Sequence, residues 1–272
     1  MGEPGLTVPC PAHRQMSDDA GERDNPMSAS GPAGASNDNA PAVSAQVRTP
    51  LDLLRAPESV AILVSTAGLV AVRYINSDFR WLPQVARDAR LGWFGLNFIV
   101  LFLVPALVWR LGYGKGLTSL GVRIGDWRAS LRYALLYGGI TLPLIVIASR
   151  WANFQGYYSN YIRSTEDVGL IAMMLAGWVV YFFAWEFHYR GFLLFALEPR
   201  LGAFAIIVQT IPFTLTHFGK PWPETASAIV AGIALGWWAY RSRSCLGPWL
   251  LHWICSATMQ LAVAFWPAAG GP

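Results

Sequence analysis

Charge is what this sequence has least of. Only 13% of its 272 residues are Asp, Glu, Lys or Arg, about half the share carried by soluble domains. Histidine occurs just four times. The mean hydropathy is nonetheless held down to +0.37 by a polar N-terminal stretch, so the remainder is oilier than the average. A chain with so little to offer water is a polytopic membrane protein. Cysteine is also scarce. Cys10, Cys245 and Cys255 form neither a CxxC pair nor an even set, so no disulfide framework or thiolate metal site is implied. The net charge of +4 reads as membrane topology and not as nucleic-acid binding, because the basic residues sit in short loops. Residues 1–50 have almost no large apolar side chains and read as a disordered tail. That tail has no signal-peptide core, and its Cys10 and His13 take no role.

What the chain does have is long apolar runs. Seven are expected to span the membrane as helices: Ser59–Ile75, Leu91–Leu111, Leu131–Ala148, Gly169–Leu197, Ala203–Phe218, Thr225–Tyr240 and Leu246–Trp266. The expected fold is therefore all-α. N-terminal transmembrane helices fill 51–116, a helical core occupies 117–266, and 267–272 is a short C-terminal tail. Glu198 to Gly202 is expected as a turn, and Pro212 as a kink in the fifth run. Between the second and third runs, Leu117–Arg128 has the look of an interfacial segment with Trp127 as anchor. Trp151–Asp167 reads as an aromatic interfacial loop. The densest basic cluster lies between the second and third runs, which puts the N-terminus on the cytoplasmic side. Ala228, Gly232 and Gly236 recur every four residues, a stripe of small side chains suited to close helix packing.

Within these runs the ionisable groups are few: Glu186, His188, Arg190, His217 and His252. A charge in hydrocarbon costs roughly 2.5–3.5 kcal/mol on insertion scales, so each needs a partner, a wet cavity or a task. Glu186 and Arg190 are four apart and share a helix face, while His188 points elsewhere. Counting at 1.5 Å per residue from the turn near Gly202, Glu186 and His217 lie roughly 20–25 Å up their helices and come level. His252 is only about 10 Å into its helix, so tilt or stagger must bring it to the others. His217, His252 and Glu186 together form a donor set for Zn²⁺ with an open position for water. Without metal, a buried Glu with His donors can activate water and stabilise an oxyanion. Each residue also has a plainer reading. Glu186 with Arg190 is a packing ion pair, His217 an interfacial group, His252 a member of an aromatic belt, and His188 a satisfied polar group.

In order, Glu186-xxx-Arg190-Gly191-Phe192, then Phe213-xxx-His217, then Gly232 to Gly236 leading into Leu251-His252 resembles the CPBP intramembrane protease family. These are the CAAX-protease and bacteriocin-processing (Abi) proteins, related to type II CAAX prenyl endopeptidases. Their pattern is EExxxR, FxxxH and HxxxN/D on successive helices, and the likeness covers about Leu117 to Ala264. It implies an all-helical fold and hydrolysis of a membrane-embedded peptide bond. By that resemblance the catalytic set is Glu186, Arg190, His217 and His252, with Phe213 as the aromatic of FxxxH. The Asn/Asp position falls on Ser256. The family's water-activating first Glu falls on Trp185, which cannot abstract a proton. Glu186 would replace it if the helix turned or locally unwound, and Glu224 is a further candidate if it folds back over the site. As a charged cap on the sixth helix, Glu224 has a simpler explanation.

The expected function is an endopeptidase acting on a membrane-associated peptide or protein, zinc-dependent or glutamate-based. Its partners would be the lipid bilayer and that substrate, with no nucleic acid, and its location a bacterial inner membrane. The competing readings are a catalytically inactive relative that binds peptides, and a transporter. No inverted repeat or paired broken helices support the last.

Overall fold

The computed structural model describes residues 49–77, 86–159 and 165–265. The tail expected over 1–50, apart from Thr49 and Pro50, lies outside the described residues, as do Trp266 and 267–272. The described chain is helical, without strands, in the order α1 (Pro50–Arg55), α2 (Pro57–Ser77), α3 (Ala86–Phe98), α4 (Val104–Tyr113), α5 (Trp127–Ala148), α6 (Ala152–Tyr158), α7 (Val168–Glu186), α8 (Leu194–Leu201), α9 (Ala205–Leu215), α10 (Trp222–Ser242) and α11 (Leu246–Phe265). Wide π-helical turns join α3 to α4 (Ile99–Leu103) and α7 to α8 (Phe187–Leu193).

Each of the seven runs expected as spans contains a helix. Three stretches are long and apolar enough by themselves to cross a bilayer: Leu91–Tyr113, Trp127–Ala148 and Val168–Leu215. The outer face of α5 shows what solvent they suit. Leu131, Leu135, Leu136, Ile140, Leu144 and Ile147 are all more than half exposed, whereas Glu186, His188 and Arg190 are fully buried. Apolar outside with charge inside is the pattern of a protein in lipid, and the chain is an all-α integral membrane protein.

Local chemistry sets the helix ends. Asp126 caps α5 by accepting from the backbone N–H groups of Arg128 and Ala129 at 3.1 and 3.0 Å, and Asp167 caps α7 through Leu170 N–H at 2.8 Å; each satisfies donors the helix leaves open. The turn expected over Glu198–Gly202 is shorter than that. The helix runs through Pro199 to Leu201, because a proline this near the end costs one hydrogen bond without stopping the chain. Gly202 stops it, at φ 54° and ψ −139°, a conformation that side chains oppose.

The fifth run also ends early. After Pro212, α9 stops at Leu215, so His217 lies in the following turn instead of inside a helix. Its backbone N–H donates to Thr214 O at 2.9 Å. At 1.5 Å per residue the 11 residues of α9 rise only about 16 Å, which leaves His217 within the bundle.

The small-residue stripe of α10 packs on α9. A Cβ at Gly232 would lie 2.6 Å from Thr210, and one at Gly236 2.7 Å from Gln209. Gln209 Nε2 donates to Gly232 O at 2.9 Å, a bond that needs this backbone approach. The stretch 117–126 is docked more firmly than an interfacial loop. Leu120 is fully buried, Cys245 N–H donates to Gly121 O at 3.0 Å, and Asp126 N–H to Ser242 O at 2.9 Å. Trp127 beside it is exposed, as an anchor would be. In the aromatic segment after α5, Phe154 and Tyr158 of α6 pack on Met259 and Val263 of α11.

Candidate active site

The long helix α7 presents two faces at its C-terminal half. Leu175, Val179, Phe182 and Glu186 face α11, since Trp253 Nε1 donates to Leu175 O at 3.2 Å, Trp249 Nε1 to Val179 O at 2.9 Å, and the ring of His252 packs 4.4 Å from that of Phe182. The two tryptophans flank His252 at helical spacing and clamp α11 to α7. This clamp supplies the tilt that the sequence needed but did not show. His252 Nδ1 lies 2.6 Å from Glu186 Oε1. The same oxygen accepts from Arg190 Nη1 at 3.0 Å, and the guanidinium carbon sits 3.9 Å from the centre of the Phe213 ring. Glu186 and Arg190 are both 0% exposed, so the pair is desolvated and its stability depends on both partners.

Phe213 connects this trio to His217. His217 Nδ1 lies 2.8 Å from Phe213 O. A carbonyl only accepts, so Nδ1 carries the hydrogen and Nε2 presents a lone pair. The same reasoning applies to His252: with Nδ1–H held by a carboxylate, Nε2 is the basic nitrogen. The backbone carbonyl of His217 is tied down by Thr225 Oγ1 at 2.7 Å. Of the residues singled out in the sequence, Glu186, Arg190, Phe213, His217 and His252 thus form one contiguous group.

The second face of α7 carries Trp178, Tyr181 and Trp185, continued by Tyr189 in the π-turn. Their rings form a ladder, with Trp93 stacked on Tyr181 at 4.7 Å, Tyr181 tilted against Trp185 at 5.4 Å and Trp185 edge-on to Tyr189 at 5.3 Å. At its end Trp185 lies 6.4 Å from Phe213 and 6.2 Å from His217, edge to face with the latter. The indole therefore occupies the space beside His217, while Glu186 faces His252. The helix does widen locally, but after Glu186, over Phe187–Leu193, and this does not carry Glu186 round to the Trp185 side. Gly191 lets the π-turn form against its neighbour, since a Cβ there would lie 2.8 Å from Leu120 O.

Other candidates are spent elsewhere. Glu224 accepts from Tyr158 Oη at 2.8 and 2.7 Å and from Lys220 Nζ at 2.7 Å, which ties α6 to the start of α10 and does not cover the site. Ser256 Oγ accepts from Gln260 Nε2 at 3.0 Å within α11. His188 is fully buried on another side of the π-turn, its ring against Gly68 of α2. Burial, with a smaller contribution from the Glu186 carboxylate, pushes the Cys245 thiol up to about 12, so it is no nucleophile at neutral pH. Two grooves, of 680 Å³ along α5, α10 and α11 and 560 Å³ at the start of α10, are lined by none of Glu186, Arg190, Phe213, His217 and His252.

Zinc requires its donors around one point at about 2.0–2.2 Å. Glu186 and His252 instead bond to each other, and among the described residues no three His, Cys, Asp or Glu side chains converge as ligands. The donor set expected from the sequence does not fit a three-ligand zinc centre in this arrangement. What sequence reasoning passed over is the polar capacity of neutral side chains. Among the described residues, the indole N–H of Trp185 and one oxygen of Gln260 are buried without a hydrogen-bond partner. A search for ionisable groups has no means of finding them.

Residues 167–258 match the family described as Type II CAAX prenyl endopeptidase Rce1-like. That segment begins at the cap of α7 and ends in α11, and it holds every residue of the group built around Glu186. No curated protein and no solved structure matches the chain. Over residues 167–258, this integral membrane protein is similar to the Rce1-like family of type II CAAX prenyl endopeptidases.

Proposed function

We propose that the chain is an intramembrane endopeptidase that hydrolyses a peptide bond of a membrane-associated peptide or protein, with water activated by His252 under the control of Glu186. The observation that carries this reading is the 2.6 Å contact between His252 Nδ1 and Glu186 Oε1. A carboxylate holding one imidazole nitrogen fixes the tautomer and stabilises the imidazolium that forms as the other nitrogen takes a proton. Arg190 neutralises Glu186 in a setting where an unpaired carboxylate would be costly. His217, with its lone pair at Nε2, accepts the second hydrogen of the water. In this scheme the family's water-activating carboxylate, absent at Trp185, is replaced by an imidazole whose carboxylate lies behind it.

The test is cleavage by the purified protein in lipid nanodiscs, assayed on membrane-inserted peptides by mass spectrometry. Alanine at Glu186, His217 or His252 abolishes the products. Unchanged cleavage in all three variants sinks the proposal. A second reading, a catalytically inactive relative that binds such peptides, draws on the indole of Trp185 filling the space beside His217. Saturable peptide binding by wild type with no product at any enzyme concentration decides for it.

A further inference from the structure

Trp185 is the residue at which this chain departs furthest from its family's pattern, and its surroundings suggest more than a loss. It is 6% exposed, and its Nε1–H has no acceptor among the described residues. Leaving a buried donor unpaired costs about 1–3 kcal/mol. Four other tryptophans of this bundle do not bear that cost. Trp109 donates to Ser119 Oγ at 2.9 Å, Trp249 to Val179 O at 2.9 Å, Trp253 to Leu175 O at 3.2 Å and Trp238 to Ser130 Oγ at 3.2 Å. Trp185 instead packs against the rings of Tyr181, Tyr189, Phe213 and His217. None of them offers it a hydrogen bond.

Peptide hydrolysis needs a donor for the carbonyl oxygen as it becomes an oxyanion, and this term is often the largest in catalysis. Three of the donors nearest to hand are committed. His217 Nδ1–H goes to Phe213 O, and His252 Nδ1 and Arg190 Nη1 both go to Glu186 Oε1. The remaining guanidinium nitrogens belong to a side chain that is fully buried beneath the Phe213 ring.

We propose that the indole N–H of Trp185 binds the scissile carbonyl oxygen and the oxyanion it becomes. This rests on the endopeptidase reading and deepens it. His252 Nε2 takes a proton from water as the water oxygen bonds to the carbonyl carbon. The π electrons of C=O move to oxygen, which is held by Trp185 Nε1–H. The tetrahedral intermediate then collapses, re-forming C=O and breaking C–N, and the amine leaves with the proton from His252. A carboxylic acid and an amine result. The position that elsewhere in the family activates water here stabilises charge instead.

The experiment compares wild type with Trp185→Phe, and with the chain carrying 3-benzothienylalanine at Trp185, which puts sulfur in place of N–H at nearly constant shape. Both are assayed for kcat and KM, for binding of an uncleaved substrate peptide, and for binding of its phosphonamidate analogue. Removing one oxyanion donor lowers kcat by about 10²-fold, so that loss is expected with KM little changed. The phosphonamidate should weaken by a similar factor while the substrate peptide binds as before. The sulfur variant decides the matter if Trp185→Phe fails to fold. Wild-type kcat in it, or equal weakening of both ligands, overturns the proposal. Wild-type turnover there beside an inactive His252→Ala removes only the role of Trp185; cleavage by His252→Ala removes the endopeptidase reading as well.

Discussion

The carboxylate of Glu186 has two duties in this arrangement, and one pair of substitutions separates them. Its Oε1 accepts from Arg190 at 3.0 Å and from His252 at 2.6 Å, with both members of the ion pair fully buried. In Glu186→Gln the amide oxygen can still accept from both, so the change removes charge and little shape. It strands a guanidinium with 0% exposure, and breaking a buried pair from one side costs about 3–5 kcal/mol. For a chain of this size that corresponds to a fall in Tm on the order of 10 °C. Replacing both partners is a different matter, because apolar groups of similar volume often leave stability nearly unchanged. Glu186→Gln combined with Arg190→Met is therefore expected to recover most of the lost Tm, measured by thermal unfolding in detergent. Turnover does not recover with it. A general base contributes about 10²–10⁴-fold, and neither variant keeps the negative charge that orients His252 and stabilises its protonated form. If the double variant regains stability and cleavage together, the carboxylate is a packing element and the mechanism fails.

Four further outcomes follow from the same geometry. Because the donors around Glu186 do not converge on a metal, dialysis against a chelator leaves cleavage unchanged; a loss restored by added Zn²⁺ contradicts this. Gly191→Ala places a methyl 2.8 Å from Leu120 O, an overpacking expected to cost about 1–3 kcal/mol, read as a lower Tm. Trp249→Phe and Trp253→Phe each remove a bond to an α7 carbonyl, worth about 1 kcal/mol, and should reduce kcat more than that stability loss explains, because His252 sits between them. Tyr158→Phe takes a partner from Glu224 and leaves cleavage at the wild-type rate; a large loss would put Glu224 back among the catalytic groups.

The helices and the cast of polar residues were legible in the sequence because lipid makes both conspicuous. Apolar runs mark the helices, and a charge inside one is rare enough to be counted. Geometry between helices was not legible. Depth counting placed Glu186 and His217 level but left His252 short, since nothing local to α11 announces that Trp249 and Trp253 lean it onto α7. The proline and glycine signals were read in the right places and given slightly wrong weight. Pro199 reads as a turn and is carried by its helix, whereas Pro212 reads as a kink and is followed within three residues by the end of α9.

Trp185 shows the deeper limit. In sequence it is a large apolar residue among others, and beside a family pattern it is a missing acid. Only three-dimensional placement shows that the indole lies against His217, that its N–H is unsatisfied among the described residues, and that Glu186 is engaged by His252. These three facts together change the question. It is no longer whether Glu186 can be turned into the place of the lost carboxylate, since that place is filled and Glu186 is held by His252. The question is whether the base has passed from carboxylate to imidazole, with the vacated position turned from accepting protons to donating a hydrogen bond.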